Sequence, residues 1–332
     1  MHRHFLNDPR RLVEEALAGF ELAHPRLVRW NRDPSFVMRA DPSPDPRVVL
    51  LSGGGSGHEP LHIGFVGHGM LDAAVPGAVF ASPAAYQVEA ATKAIDRGEG
   101  VLYVVKNYTG DVVNFNLAAE LVADDGIRVE TVLDDDDLAS ESDAGGPGRR
   151  GTAVVVAVEK LCGAAAERGD SLDKVASLGR RVVAGSRSLA IALSAGTHPG
   201  ETTPSFELGL DEVEFGVGIH GERAAERRPF GPAADLAAML TEPLIEALGI
   251  NALDEVIVIV NGLGSTHGLE LSVMFAEVHR FLTARQIRVA RALVGSYVTS
   301  LDMAGCSVSL IRADEELIRL WDAPVRTPAL TW

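Results

Sequence analysis

"RVVLLSGGGSGHEPLHIGF", residues 47–65, decides how the rest of the chain is read. A short apolar run enters a cluster of glycines and leaves through His58, Glu59 and Pro60. The apolar run reads as a strand, the glycines as a tight turn, and the residues after Pro60 as a helix. "EGVLYVVKNYTGDVVNFNLAAELV", residues 99–122, repeats the design with a polar turn from Lys106 to Asp111. "IRVETVLDDDD", residues 127–137, is a third strand with an acidic exit. Strands alternating with helices predict βαβ units and a parallel sheet. In such a sheet ligands gather at the carboxyl ends of the strands, where His58 and the 106–111 turn both fall.

From Ser188 the texture changes. "LAIALSAGTHPGETTPSFEL" and "VEFGVGIHGE", residues 189–208 and 213–222, read as adjacent strands of a more antiparallel sheet. Val213, Phe215, Val217 and Ile219 alternate with period two, so the second segment delivers His220 at a strand end. "EVIVIVNGLGSTHGLEL" and "CSVSLIRAD" add two more strands, with a helix around Leu269–Leu282. Leu12–Leu22 is a helix started by Asn7-Asp8-Pro9. "ESDAGGPGRRG", residues 141–151, is a loop. The expected fold is α/β in two domains: a parallel-sheet α/β domain over 1–183 and a mixed/antiparallel α+β domain over 184–332.

Composition narrows the function classes. The 332 residues are 46% apolar, enough for more than one core and too many for a disordered chain. A formal charge of −16 disfavours nucleic acid and anionic membrane as partners, since both ask for a basic face. No apolar run approaches membrane-spanning length and the N-terminus lacks a signal-peptide core, so a cytoplasmic protein is expected. The two cysteines, Cys162 and Cys306, read as packed thiols.

The candidate motifs each have two readings. "GGGSGH" could cradle an anion with backbone N–H groups, or simply turn a strand. It lacks the Lys-Ser/Thr of a P-loop, and no other nucleotide motif occurs. Ser56 and His58 place polar groups there, suited to a small hydroxyl-rich ligand. Asp111 is either the cap of the following helix or the carboxylate of an acid/base pair. The acidic run 134–137 reads as solvated loop. His2, His4, His198, His267 and His279 show no metal-type spacing, and no metal site is expected. His220 is either a structural residue or a neutral imidazole able to add to a ketone carbonyl as a hemiaminal, refusing a polyol of similar size.

"LSGGGSGHEPLHIGFVGHGMLDAAVPG", "VKNYTGDVVNF", "EKLCGAAAERGDSL", "EFGVGIHGE" and "SLDMAGCSVSLIRAD…LWDAPVRTPALTW" together resemble, nearly end to end, the dihydroxyacetone kinase family. The likeness is to its substrate-binding subunit, the DhaK or Dak1 domain. The resemblance implies that dihydroxyacetone attaches through its carbonyl to His220, with His58 and Asp111 assisting proton transfer and orientation. Gly55, Ser56, Gly57 and Lys106 match substrate-contacting positions. It further implies that the two glycine-flanked histidines face one small cavity between the domains. This chain would bind no cofactor itself. ADP or ATP with magnesium would sit on a separate DhaL-like subunit, recharged by a phosphotransferase-system phosphoprotein, and the binding subunit would be a homodimer. The chain departs from the family in "GIHGERA", where "GIHGEPG" is frequent, and in "GSTHGLEL", with His267 where proline is usual. Two rival expectations are a kinase subunit for a related ketose such as erythrulose and a non-catalytic dihydroxyacetone sensor or coactivator.

Overall fold

The computed structural model describes residues 4–140, 148–222 and 226–332. By its own contacts the chain divides into two units, one of Phe5–Asp134 with Val155–Arg181 and Arg319–Trp332, the other of Asp135–Val154 with Val182–Ile318.

The first unit runs α1 (Leu12–Ala23), β1 (Val28–Arg32), β2 (Ser35–Arg39), β3 (Val49–Ser56), β4 (Ala73–Val79), α2 (Ala85–Ile95), β5 (Val101–Lys106), α3 (Thr109–Ala123), β6 (Val129–Asp134), then α4 (Val154–Glu167) and α5 (Leu172–Ala184). Its six strands lie in the order β1-β2-β4-β3-β5-β6. The four strands β4, β3, β5 and β6 pair in parallel, and β1 and β2 add an antiparallel edge hairpin. β5 is buried at all six positions, as a strand covered on both faces must be. On one face Leu51, Tyr103 and Val105 pack with Val88 and Ile95 of α2 and Phe115 of α3. Each fully buried aliphatic side chain there contributes about 1.5–3 kcal/mol.

The second unit holds β7 (Ser186–Ser194), β8 (Glu212–Phe215), β9 (Glu226–Pro229), α6 (Ala233–Leu248), β10 (Glu255–Gly262), α7 (Gly268–Ala284), β11 (Arg288–Gly295), β12 (Ala304–Ala313) and the start of α8 (Glu315–Trp321). The sheet order is β11-β10-β12-β7-β8-β9, all pairs antiparallel except β10 with β11. Leu236, Leu240 and Leu244 of α6 and Leu271, Val278 and Leu282 of α7 close its core over Val256, Val258, Val308 and Leu310. His267 is the N-cap of α7, its backbone N–H donating to Glu270 Oε2 at 3.3 Å.

Four expectations change. A single boundary at residue 183 does not describe the chain, because two segments cross over. Asp135–Val154 belong with the second unit, and Gly67 and Gly69 lie against the backbone of 324–327, which returns the C-terminal segment Arg319–Trp332 to the first unit. The glycines after β3 begin no helix; β3 itself runs through them to Ser56, and only a 3₁₀ turn at Ile63–Phe65 follows. β8 stops at Phe215, so His220 rides on a turn. The acidic run is not solvated: Asp134, Asp136 and Asp137 are buried. Asp136 accepts from the Thr152 hydroxyl at 2.8 Å, from the Val154 N–H at 3.1 Å, and from the Thr152 N–H and the Ser188 hydroxyl. A carboxylate with four donors is a joint between chain segments rather than a wet loop. Of the loop expected at 141–151, and of the 223–224 departure, residues 141–147 and 223–224 lie outside the described residues.

α4 carries two adjacent buried ionisable residues, Glu159 and Lys160. Lys160 Nζ lies 5.6 Å from the Trp321 ring and 5.0 Å from the Trp332 ring, a cation–π setting that offsets part of its desolvation. Burial still draws its ammonium from 10.5 down to about 8, with Asp322 pulling the other way. Between these values the unfolded chain holds more protons than the folded one, so this lysine's cost to stability is full below about 8 and relieved as pH climbs toward 10.5. The unfolding free energy of the wild type, measured against Lys160→Met by denaturant titration, should therefore rise across that window. A difference that stays flat would show that the folded protein leaves this amine unperturbed.

Candidate functional site

In the first unit, the polar groups collect where the parallel strands end. Lys106 is the last residue of β5 and only 1% exposed. Its Nζ lies 3.0 Å from His62 Nε2, 3.5 Å from the Gly53 carbonyl oxygen and 3.6 Å from Asp111 Oδ2. A buried cation needs such neighbours, because leaving water without them costs several kcal/mol or more, as a rough estimate. Asp111 sits in the first turn of α3, where the helix dipole favours a carboxylate. It is not the cap: that position is Tyr108, which makes no side-chain capping bond, while the Ser82 hydroxyl donates to Asp111 Oδ1. Sequence leaves cap and acid/base roles open for Asp111; the geometry removes the first.

The glycine-rich segment leaves room for this group. A Cβ on Gly54 would stand 2.5 Å from Lys106 Nζ and 3.5 Å from Asp111 Oδ2. Gly55 lies against the backbone of Phe80 and Ala81 with the same absence of space. Gly57 has φ 102° and donates its N–H to Glu59 Oε2 at 2.9 Å. Ser56 has its hydroxyl proton committed to the Gly77 carbonyl oxygen at 2.7 Å, so towards a ligand that oxygen can only accept. His58 is buried and stacked on Phe80, ring centroids 4.9 Å apart and planes at 20°.

Two residues absent from the sequence reading belong to this cluster. His62 Nδ1 lies 2.5 Å from Glu159 Oε1 and 3.0 Å from the Ser52 hydroxyl. Their signals are present in the chain: a second histidine in "GHEPLH", and a charged pair inside the apolar helix "VVVAVEKLCG", where Glu and Lys are rarely buried without a partner.

In the second unit, His220 occupies a turn closed by Gly218 N–H to the Glu222 carbonyl oxygen at 3.0 Å and by Gly221 N–H to the Gly218 carbonyl oxygen at 3.1 Å. Glu222 grips the histidine twice. Its Oε2 accepts the His220 backbone N–H at 2.8 Å and its Oε1 lies 2.9 Å from Nδ1. Behind it, Arg150 donates to Asp137 Oδ2 through Nε at 2.8 Å and to the Gly216 carbonyl oxygen at 3.2 Å. Burial pushes the Glu222 carboxyl up, but the hydrogen bond and charge of His220, a backbone N–H and Arg150 outweigh it and bring the group down to about 2. An ionised Glu222 accepts only, so Nδ1 carries a proton towards it, and in the neutral ring the lone pair falls on Nε2. Glu222 is thus a third residue that sequence reasoning passed over, although "GIHGE" contains it.

Among the described residues no group of three or more His, Cys, Asp or Glu is arranged to hold a metal ion. No helix among them is long and apolar enough to cross a membrane.

The profile of the Dak1 domain matches residues 18–329. The chain is 44% identical to the PEP-dependent dihydroxyacetone kinase, dihydroxyacetone-binding subunit DhaK of Escherichia coli K12, over 98% of both chains. Its fold is similar to the crystal structure of the dihydroxyacetone kinase of C. freundii with AMP-PNP and Mg2+, with a TM-score of 0.90 and 34% identity over 99% of this chain and 60% of that one. It is equally similar, with a TM-score of 0.90 and 32% identity over 95% of this chain and 97% of the other, to the dihydroxyacetone kinase operon co-activator DhaQ. A profile match across nearly the whole chain, joined to a relative this similar from end to end, places the protein in the Dak1 domain family.

Proposed function

We propose that this chain is the dihydroxyacetone-binding subunit of a dihydroxyacetone kinase, working with a separate nucleotide-bearing subunit. The observation that carries the reading is the hold of Glu222 on His220, which in the neutral ring puts the nucleophilic lone pair on Nε2. In the proposed capture step Nε2 bonds to the carbonyl carbon and the C=O π pair moves to oxygen, which takes up a proton. The positive charge left on the imidazole is balanced by the Glu222 carboxylate beside Nδ1–H. The product is a hemiaminal, which a polyol without a carbonyl cannot form.

In the proposed transfer step a terminal hydroxyl of the held ketose becomes the nucleophile. Asp111 accepts its proton, His58 assists in orientation, and Lys106 with the backbone of Gly55, Ser56 and Gly57 holds the oxygens. The partner, resembling a DhaL subunit, would supply the phosphoryl group from ATP with magnesium, and phosphoryl transfer depends above all on such positioning. The E. coli relative is named as PEP-dependent, which supports a phosphotransferase system as the ultimate phosphoryl source. A cytoplasmic homodimer completes the reading.

The likeness to a co-activator favours a second reading, a ligand sensor. The assembled Asp111, Ser82 and Lys106 cluster speaks for catalysis, since carbonyl capture alone has no use for a carboxylate beside a hydroxyl-binding loop.

Asp111→Asn keeps size and much of the hydrogen bonding while removing the base. It should still bind dihydroxyacetone by calorimetry yet lose about 10²–10⁴-fold in turnover when the nucleotide subunit is supplied. Near-normal turnover in that variant would end the catalytic reading of this turn. The purified chain with magnesium and ATP alone should make no triose phosphate, and robust turnover by it would show that the chain binds nucleotide itself.

A further inference from the structure

Lys106 cannot hold its own position. Its ammonium has long contacts to Gly53 and Asp111, and one short one, to His62 Nε2 at 3.0 Å. An ammonium only donates, so His62 must present the lone pair at Nε2 and carry its proton on Nδ1. Nδ1–H then needs an acceptor, and two oxygens stand there, Glu159 Oε1 at 2.5 Å and the Ser52 hydroxyl at 3.0 Å. The Ser52 hydroxyl proton is itself given to the Val104 carbonyl oxygen at 2.7 Å, so its oxygen faces the imidazole as an acceptor. Every donor in this chain of contacts meets an acceptor in one arrangement of protons. In the other tautomer, Nε2–H would point at the ammonium, donor against donor.

We propose that the buried His62–Glu159 pair positions the Lys106 ammonium over Gly54 by locking His62 in its Nδ1–H tautomer. The proposal rests on the reading of Lys106 as a substrate contact. His62 and Glu159 touch no reacting atom in it; they act through the lysine.

The surroundings agree. Burial, then the Lys106 charge and His58, holds the His62 imidazole well below its ordinary range, so the ring is neutral. Burial raises the Glu159 carboxyl well above its usual range, against the pull of Lys106. Charged or neutral, Glu159 keeps an accepting oxygen at Oε1. Its other oxygen has no hydrogen-bond partner among the described residues, so Oε1 is the atom the fold uses. The steric fit at Gly54 makes the placement consequential, since a Cβ there would stand 2.5 Å from Nζ and 3.7 Å from His62 Nε2.

The test has two arms on the full chain. Nitrogen-15 NMR of the histidine rings, with His62 assigned from the spectrum of His62→Gln, should show His62 neutral and protonated at Nδ1, unchanged across the neutral range. A signal from the Nε2–H tautomer or from an imidazolium overturns the proposal. In the reconstituted kinase assay Glu159→Leu, which removes the acceptor, should lower kcat by about 10²-fold, the scale of a misplaced group. Glu159→Gln, which keeps a carbonyl oxygen at that place, should restore most of it at a similar melting temperature, a rescue that a packing role would not produce. Wild-type kcat in Glu159→Leu also overturns the proposal. Should Glu159→Leu fail to fold, the wild-type tautomer decides. A wild-type chain that never turns over dihydroxyacetone would sink the functional reading while leaving that tautomer to decide this one.

Discussion

Burying the Lys106 ammonium at the end of β5 constrains the chemistry of the first unit more than any other feature. A cation with 1% exposure must be met by acceptors that the chain brings from elsewhere. Here they come from the glycine-rich end of β3, from the first turn of α3, and from His62 in the loop that follows β3. The absence of a side chain at Gly54 is the counterpart of that choice, because the space a Cβ would fill belongs to the ammonium. Glycine placement and carboxylate position both answer to one charge.

The second unit solves a different problem, how to orient one imidazole. Neither β8 nor any helix aims His220; Glu222 does, by holding backbone and ring with the two oxygens of one carboxylate. With its carboxyl brought down to about 2, Glu222 stays an acceptor throughout the neutral range, and the neutral ring facing it is held in one tautomer. Arg150, anchored on buried Asp137, supports the turn from behind. Burial lifts Asp137 to about 6 even against that arginine, which marks how little water reaches this support.

Much of this is legible in the residues. Apolar runs, polar turns and periodic helices place β3, β5, β6, α3 and the strands around 255–262 and 304–313 where the structure has them, because hydrophobic period is local information. The edge hairpin β1–β2 is not seen, being short, and neither is β4, whose run is broken by Pro76 and Gly77. β8 is read too long because Val217 and Ile219 continue the alternation while Gly216 and Gly218 end the strand. The acidic run 134–137 looks solvated because its donors, Thr152 and Ser188, lie 16 and 52 positions away. For the same reason Glu159 escapes notice: its partner His62 is 97 residues distant, and nothing local to an apolar helix says what a carboxylate in it will meet. Lys106 and Asp111 are found from one turn, and the sequence leaves open whether Asp111 caps the helix; only the Ser82 and Lys106 contacts decide.

The central claim is covalent capture of a ketone by His220 through Nε2. Dihydroxyacetone labelled with carbon-13 at its carbonyl carbon, added to the full chain and followed by NMR, tests it most directly. The account predicts that the protein-bound signal leaves the ketone region for that of a tetrahedral carbon bearing nitrogen and oxygen, and that His220→Ala abolishes it. A bound signal that stays a ketone, or a tetrahedral signal that survives in His220→Ala, would contradict it.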